Sequence, residues 1–197
     1  MTDIPETITE LNGRLVSIDG FQMSKFEVTN DLYKQVMGYA HPMSYGSDGK
    51  MPVNGVSRSN INDFMEQLNA ETLLDVRLPT EAEWQYAAAD ASSDDAVFGQ
   101  KVPSPVGSKG ANQFGLYDML GNIAEITLDS WSEDAWSKLS GHNPVIPFEQ
   151  SYGLSVLKGG SFGDKLEDMN SEKRDYFGSE TLMHDVGFRF VISPNFL

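Results

Sequence analysis

The stretch from Phe114 to Thr127, FGLYDMLGNIAEIT, constrains this chain more than any other part of the sequence. A Gly121-Asn122 turn separates two apolar segments, and Asp118, Asn122 and Glu125 fall within eight residues. Carboxylate and amide oxygens that alternate with turn carbonyls suit a hard cation such as Ca²⁺, which takes about six to eight oxygen ligands. The same spacing is typical of a turn in a hydrophobic core with solvated acids, so both interpretations stay open.

The composition limits the class of protein. With 197 residues, of which 40% are hydrophobic, the chain is long enough for one domain with a substantial core. A formal net charge of −15 disfavours nucleic acid and anionic membranes as partners. The absence of cysteine excludes disulfides, thiolate metal sites and a cysteine nucleophile. The start, MTDIPETITE, has no secretory-signal pattern and no apolar run is long enough to span a membrane, so we expect a soluble protein.

Strand patterns lie at both ends of the chain. Residues 1–13 are polar and weakly periodic, and we expect an extended lead-in. The β-prone residues around Asp19-Gly20 predict a hairpin over Leu15–Phe26. Val156–Phe162 and Val186–Ile192 are predicted as short strands near the C-terminus.

Apolar residues at helical spacing predict helices between these ends. The first two, each with its N-cap, are Asn30–Met37 after Thr29 and Asn60–Ala70 after Ser59. In the third, which begins RLPTEAEW, Thr80 and Glu83 form a capping box and Trp84 belongs to the buried face. The predicted loops are 41–56, 90–107, 129–152 and 163–185. Short helices and strands among long loops predict a single α+β domain over residues 1–197.

The central stretch resembles the signature GLYDMxGNVWEW of the formylglycine-generating enzyme, or sulfatase-modifying factor, family. Other blocks that resemble the family follow in the family's order: FQMSKFEVTNDLYKQVM, MPVNGVS, RLPTEAEWQYAA, SPVGSKGANQFGLYDMLGN, LKGGSF and VGFRF. The resemblance extends over about Phe21 to Val191. It implies a C-type-lectin-like core, low in regular structure, with loops supported by calcium.

The resemblance also implies a ligand set for one calcium ion. Asp118, the carbonyls of Gly121 and Ile123, and the Glu125 carboxylate match the family's ligand positions. The tryptophans that flank the glutamate in the family are absent here, so some aromatic packing beside the site is lost.

The family's oxidase activity is not expected. Those enzymes use a pair of copper-binding cysteines shortly after the GGS strand, because soft sulfur ligands select Cu(I). Asp164 and Met169 stand near those places in this chain. We therefore expect neither bound copper nor conversion of a sulfatase cysteine to formylglycine.

The segment between GGS and GFR is the predicted binding surface. Many proteins that share this fold, retroelement-diversified variable proteins among them, display a variable surface there. The resemblance implies that the C-terminal segment 157–192 recognises a protein or carbohydrate ligand with residues between Gly163 and Asp185. The candidates are Asp164, Lys165, Glu167, Asp168, Lys173, Asp175, Tyr176, Phe177, Glu180, Met183 and His184. We expect Tyr176 and Phe177 to be partly exposed on one face and Arg174 to point inward as an anchor.

Three alternatives compete with a binding module. The segment is also typical of an ordinary solvated loop between strands. An enzyme of another branch of the family, such as an iron-dependent sulfoxide synthase, needs a histidine cluster, whereas His41, His142 and His184 are far apart in the sequence. A structural subunit of a surface machine is the third, but the related lipoproteins have a lipobox cysteine and this chain has none.

Overall fold

The computed structural model of the chain describes residues 1–46, 48–147 and 153–193. Within these ranges the α-helices are α1 (Asn30–Met37), α2 (Arg58–Thr72), α3 (Glu81–Ala87) and α4 (Ala135–Lys138). The strands are β1 (Thr2–Ile4), β2 (Thr7–Leu11), β3 (Arg14–Ile18), β4 (Phe21–Met23), β5 (Val76–Arg77), β6 (Ala124–Ser130), β7 (Gly141–His142), β8 (Leu154–Lys158), β9 (Asp175–Gly178), β10 (Val186–Gly187) and β11 (Val191–Ile192). This is the predicted α+β architecture, with much of the chain in loops.

The strands form small sheets rather than one large layer. Their orders are β1-β4-β11-β5, β10-β6-β8-β9 and β2-β3-β7. In the second sheet β6 and β8 are central, β10 pairs with β6 in parallel, and β9 is the antiparallel edge strand beside β8. The edge position of β9 brings the C-terminal segment next to the end of β8.

The N-terminal prediction was wrong. Residues 1–13 are not a lead-in, because β1 pairs with β4 and β2 pairs with β3. The hairpin turns at Asn12-Gly13 rather than at Asp19-Gly20, and β4 leaves β3 to join the first sheet. Asn12 and Gly13 both have positive φ, as a tight hairpin turn requires.

Helix starts follow the local capping chemistry. Thr29 caps α1 over the predicted residues, and Thr80 and Glu83 form the predicted capping box of α3. The N-cap of α2 is Ser57 rather than Ser59. The side chain of Asn60 completes that box by accepting from the Ser57 backbone N–H at 3.1 Å.

The core is divided between two main apolar clusters. In one, Trp84 of α3 packs with Leu116, Met119 and Leu120 of the central stretch. In the other, the Tyr33 ring of α1 stacks on Phe64 of α2 at 5.6 Å between centroids. No helix in the described ranges is both long and apolar enough to cross a lipid bilayer.

Candidate functional site

A cleft of about 190 Å³ opens where the end of β8, the start of β6 and the start of β9 meet. Its charged lining residues come from separate parts of the C-terminal segment. They are Lys158, Asp164, Lys173, Asp175 and Asp185. Ala124, Leu157 and Val186 supply apolar walls, and Met183 lies at the same cleft. A concave site with a few convergent polar groups is the usual form of a binding site.

The Gly159-Gly160 turn shapes the floor of the cleft. Gly160 has a φ of +71°, and an added Cβ would lie 2.7 Å from the Met169 Cε atom, so this position requires glycine. The backbone N–H and the hydroxyl of Ser161 donate to the Asp164 Oδ2 atom at 2.8 and 3.1 Å. These bonds close the turn and hold the Asp164 carboxylate beside the cleft.

Lys158 is a buried cation at the base of the site. Its Nζ atom lies 3.8 Å from a Glu81 carboxylate oxygen and 5.7 Å from the centre of the Trp84 ring. Burial lowers the pKa of the Lys158 ammonium to about 8, and the Glu81 carboxylate limits the fall. This lysine is therefore already paired inside the protein.

The remaining charges leave the cleft with a surplus of carboxylate. Lys173 donates to the Asp168 Oδ1 atom at 2.6 Å, and the Asp164 and Asp175 carboxylates lie near the same ammonium group. The Oδ1 atom of Asp185 is buried and has no hydrogen-bond partner. The Asp185 backbone carbonyl accepts from the Ala124 N–H at 2.9 Å, which ties this loop to the start of β6.

The structure gathers only part of the predicted binding set in one place. Asp164, Lys173, Asp175 and Met183 line the cleft. Lys165, Glu167 and Asp168 belong instead to a separate short turn, residues 165–168, while Glu180 and His184 are exposed on the loop after β9. Sequence reasoning missed Lys158 and Ser161 as lining residues, although both lie in or beside the LKGGSF block.

The prediction for Phe177 was wrong, whereas those for Tyr176 and Arg174 are confirmed. Alternation along β9 turns Phe177 into the core, where it is 1% exposed, and leaves Tyr176 55% exposed. Arg174 points inward and donates to both Glu81 carboxylate oxygens at 2.6 and 3.0 Å. Its guanidinium also lies 4.7 Å from the centre of the Trp131 ring.

The predicted calcium role of Glu125 does not fit the geometry. Both of its carboxylate oxygens accept from Arg189 Nε, at 2.8 and 2.7 Å, and Oε2 also accepts from the Trp84 indole at 2.6 Å. Glu125 and Arg189 are fully buried, so the guanidinium already supplies the positive charge that this carboxylate needs. Glu125 is thus a core ion-pair partner.

The other predicted calcium ligands, Asp118 and the carbonyls of Gly121 and Ile123, lie in the central turn, where the bonds described for Gly121 and Ile123 are made by their N–H groups and leave the carbonyl prediction open. Asp118 Oδ2 accepts from the Gly107 N–H at 2.7 Å, and Asp118 Oδ1 is buried without a partner. The Gly121 N–H donates to the Gly159 carbonyl, and the Ile123 N–H donates to Glu27 Oε1 at 3.0 Å. Burial raises the pKa of Glu27 well above its usual value, and the nearby Asp118 carboxylate adds to the effect.

The histidines remain separate. His41 lies against the Tyr33 ring, His184 near Tyr45 and Phe162, and His142 near Asp19. Across the described residues, no three histidine, aspartate or glutamate side chains are grouped so that they could hold a metal ion.

Comparison with known proteins gives a consistent family and fold. A family model described as "Sulfatase-modifying factor enzyme 1-like domain" matches residues 7–194. The serine/threonine-protein kinase pkn1 of Chlamydia caviae is 32% identical over 127 residues, which are 57% of this chain and 20% of that protein. The chain thus spans about a fifth of the length of that relative.

Solved structures match over almost the whole chain. Treponema denticola variable protein 1 superposes with a TM-score of 0.86 at 23% identity, over 98% of this chain and 95% of that one. PvdO from Pseudomonas aeruginosa gives a TM-score of 0.84 at 20% identity, over 98% of this chain and 93% of that one. At these identities the likeness shows the fold.

Proposed function

The chain belongs to the family of sulfatase-modifying factor enzyme 1-like domains, and from this premise we propose that it is a non-catalytic binding module. Its recognition surface lies between Gly163 and Asp185, and its ligand is a protein or a carbohydrate. The observation that supports this most is the cleft lined by Asp164, Lys173 and Asp175, with exposed Tyr176 on the neighbouring strand.

The scaffold holds this surface in place. Arg174 is fixed by Glu81 and by the Ser132 carbonyl, which accepts at 3.0 Å. Tyr176, two residues after Arg174, contacts the Trp131 ring with 5.3 Å between the ring centroids. An exposed aromatic ring on a rigid base contributes contact area to binding at a small cost in conformational entropy.

The fold similarity to a protein named as a variable protein supports the same function. Treponema denticola variable protein 1 shares the fold over 98% of this chain. A segment related to this chain makes up about a fifth of a chlamydial protein kinase. A domain of this kind therefore occurs as one module of a longer protein. We therefore propose that sequence variation concentrated between Gly163 and Asp185 changes the ligand while the scaffold stays constant.

The test is a quantitative capture experiment with extract of the source organism and a glycan array. The wild type is compared with a variant that combines Tyr176→Ala, Glu180→Ala and His184→Ala, all of which are exposed positions. A control variant carries Asp63→Ala, Glu66→Ala and Glu71→Ala, three exposed positions on α2.

We expect a ligand that the wild type and the control retain and the surface variant loses, with unchanged melting temperatures. Equal retention by all three proteins would contradict the proposed surface. A separate assay with copper, oxygen and a sulfatase-type cysteine peptide is expected to yield no aldehyde, since no thiolate is present to bind the copper. Aldehyde formation would refute a non-catalytic role.

A further inference from the structure

The loop of residues 41–46 lies against the C-terminal segment and extends the proposed surface. Met43 is 42% exposed, and Leu182 and Met183 are 49% and 37% exposed, although all three side chains are apolar. Tyr45 lies beside the His184 ring at 6.3 Å between centroids. Neighbouring apolar side chains that remain exposed are typical of an interaction site.

Asn54 joins the two loops. Its side chain is fully buried, and its Oδ1 atom accepts from the Tyr45 N–H at 2.9 Å. Its Nδ2 atom donates to the His184 carbonyl at 2.7 Å and to the Met43 carbonyl at 3.5 Å. One amide therefore fixes loop 41–46 and the loop after β9 relative to each other.

Gly55 brings the two methionines close together. Its N–H donates to the Met183 carbonyl at 3.1 Å. An added Cβ on Gly55 would lie 2.7 Å from the Met43 Cβ atom, so Met43 packs directly on this glycine. Met183 also lines the cleft, and the apolar rim is thus continuous with the charged site.

The charge of the cleft indicates which kind of ligand group it would bind. Asp164, Asp175 and Asp185 line it together with Lys158 and Lys173, so the carboxylates outnumber the ammonium groups, and Lys173 also pairs with Asp168. Asp175 is exposed and Asp185 is half-buried, so both carboxylates can accept hydrogen bonds from a cationic group of a ligand, and such charged hydrogen bonds are stronger than neutral ones.

On the basis of the proposed function, we infer that the ligand is a protein that inserts a lysine or arginine side chain, flanked by apolar residues, into this cleft. The apolar neighbours contact Met43, Leu182 and Met183, and the cation reaches the Asp175 and Asp185 carboxylates. The Tyr176 N–H of β9 already donates to the Asp175 Oδ1 atom at 2.8 Å, which removes one backbone donor of this edge strand from pairing with an added strand. A neutral glycan would leave the cleft carboxylates without a counter-charge.

The test uses matched peptides and the methionine methyl groups as reporters. Protein with ¹³C-labelled methionine methyls is titrated with the capped peptide Gly-Leu-Arg-Leu-Gly. The matched probe contains citrulline, which is nearly isosteric with arginine but uncharged, and a third peptide contains glutamate. Methyl hexosides form a separate arm for carbohydrate binding.

The variants preserve the backbone contacts. Asp185→Asn keeps the carbonyl that accepts from Ala124, and Asp175→Asn keeps a side-chain oxygen for the Tyr176 N–H. Asp63→Asn, on α2 and outside the cleft lining, is the matched control. Met43→Ser tests the apolar rim.

We expect the arginine peptide to shift the Met43 and Met183 methyl resonances and to bind about tenfold or more tightly than the citrulline peptide. Binding weakens as salt rises, because the contact is between charges. Asp175→Asn and Asp185→Asn weaken binding of the arginine peptide. Met43→Ser weakens the binding of all peptides alike, and Asp63→Asn leaves binding of the arginine peptide unchanged.

Equal binding of the citrulline peptide, or unmoved Met43 and Met183 methyls, would overturn the inference. Shifts caused by hexosides instead of the peptide would overturn it in favour of a carbohydrate ligand. If the capture experiment still depends on Tyr176 and its neighbours, only this inference fails. If capture shows no dependence on that surface, the proposed function fails as well.

Discussion

Replacing Arg174 with methionine tests whether the C-terminal segment is anchored to α3. Arg174 Nε and Nη2 donate to the two oxygens of Glu81, which is fully buried, and its Nη1 donates to the Ser132 carbonyl at 3.0 Å. Methionine keeps most of the side-chain volume but removes the charge. The Glu81 carboxylate then loses its bidentate partner in a buried site.

The expected loss of stability depends on the partners that the Glu81 carboxylate keeps in the variant. Removing one partner of a buried ion pair costs about 3 to 5 kcal/mol. Lys158 stays at 3.8 Å from Glu81, and the Trp136 indole still donates to it at 3.0 Å. We therefore expect the lower end, about 3 kcal/mol, which lowers the melting temperature by roughly 6 to 12 °C for a domain of this size.

The assay is urea unfolding followed by tryptophan fluorescence, with thermal unfolding in parallel. The adjacent Lys173→Met is the control, since Lys173 also makes a 2.6 Å ion pair, with Asp168, but at a position that is far more exposed than the Arg174–Glu81 pair. Exposed pairs contribute little, so this variant should unfold as the wild type does. If Arg174→Met is no less stable than Lys173→Met, Arg174 is not an anchor and the reasoning is refuted.

Four further predictions concern the core and its charges. Phe177→Ala should lower the free energy of unfolding by about 3 to 5 kcal/mol, while Tyr176→Ala should change it little; equal losses in urea unfolding would contradict their opposite burial. Glu125→Gln should destabilise the protein by about 3 kcal/mol in metal-free buffer, because it removes the carboxylate that is directly bonded to the buried Arg189 guanidinium. Calcium and chelator should give the wild type the same melting temperature, and a rise with calcium would restore the cation site. Burial raises the pKa of Asp129 to about 7, so its proton is held more tightly in the folded state. Its contribution to stability is complete near pH 4 and is lost as the pH rises to about 7, and Asp129→Asn should flatten that slope in urea unfolding at pH 5 and pH 7.5.

Local chemistry made several elements predictable from the sequence. The Thr80–Glu83 capping box involves groups three residues apart, so α3 begins where the pattern indicates. Thr29 and the apolar spacing after it likewise give α1 over Asn30–Met37. The inward orientation of Arg174 was also predictable, although its partner was not.

Other features depend on contacts between distant parts of the chain. Glu125 pairs with Arg189, which is 64 residues away, so the sequence around the central turn could not distinguish a cation ligand from an ion-pair partner. The first residues pair with β4, whose position is determined by β11 near the C-terminus.

The candidate site shows the same division between local and distant interactions. The family resemblance and the strand-bracketed position predict a binding surface between Gly163 and Asp185, and its role in binding stays a prediction. The exposure of Tyr176 and the burial of Phe177 depend on the register of β9 against β8, because a one-residue shift would exchange the two faces. The cleft itself forms only when β8, β6 and the loop before β10 meet, since its carboxylates come from segments that no local pattern connects.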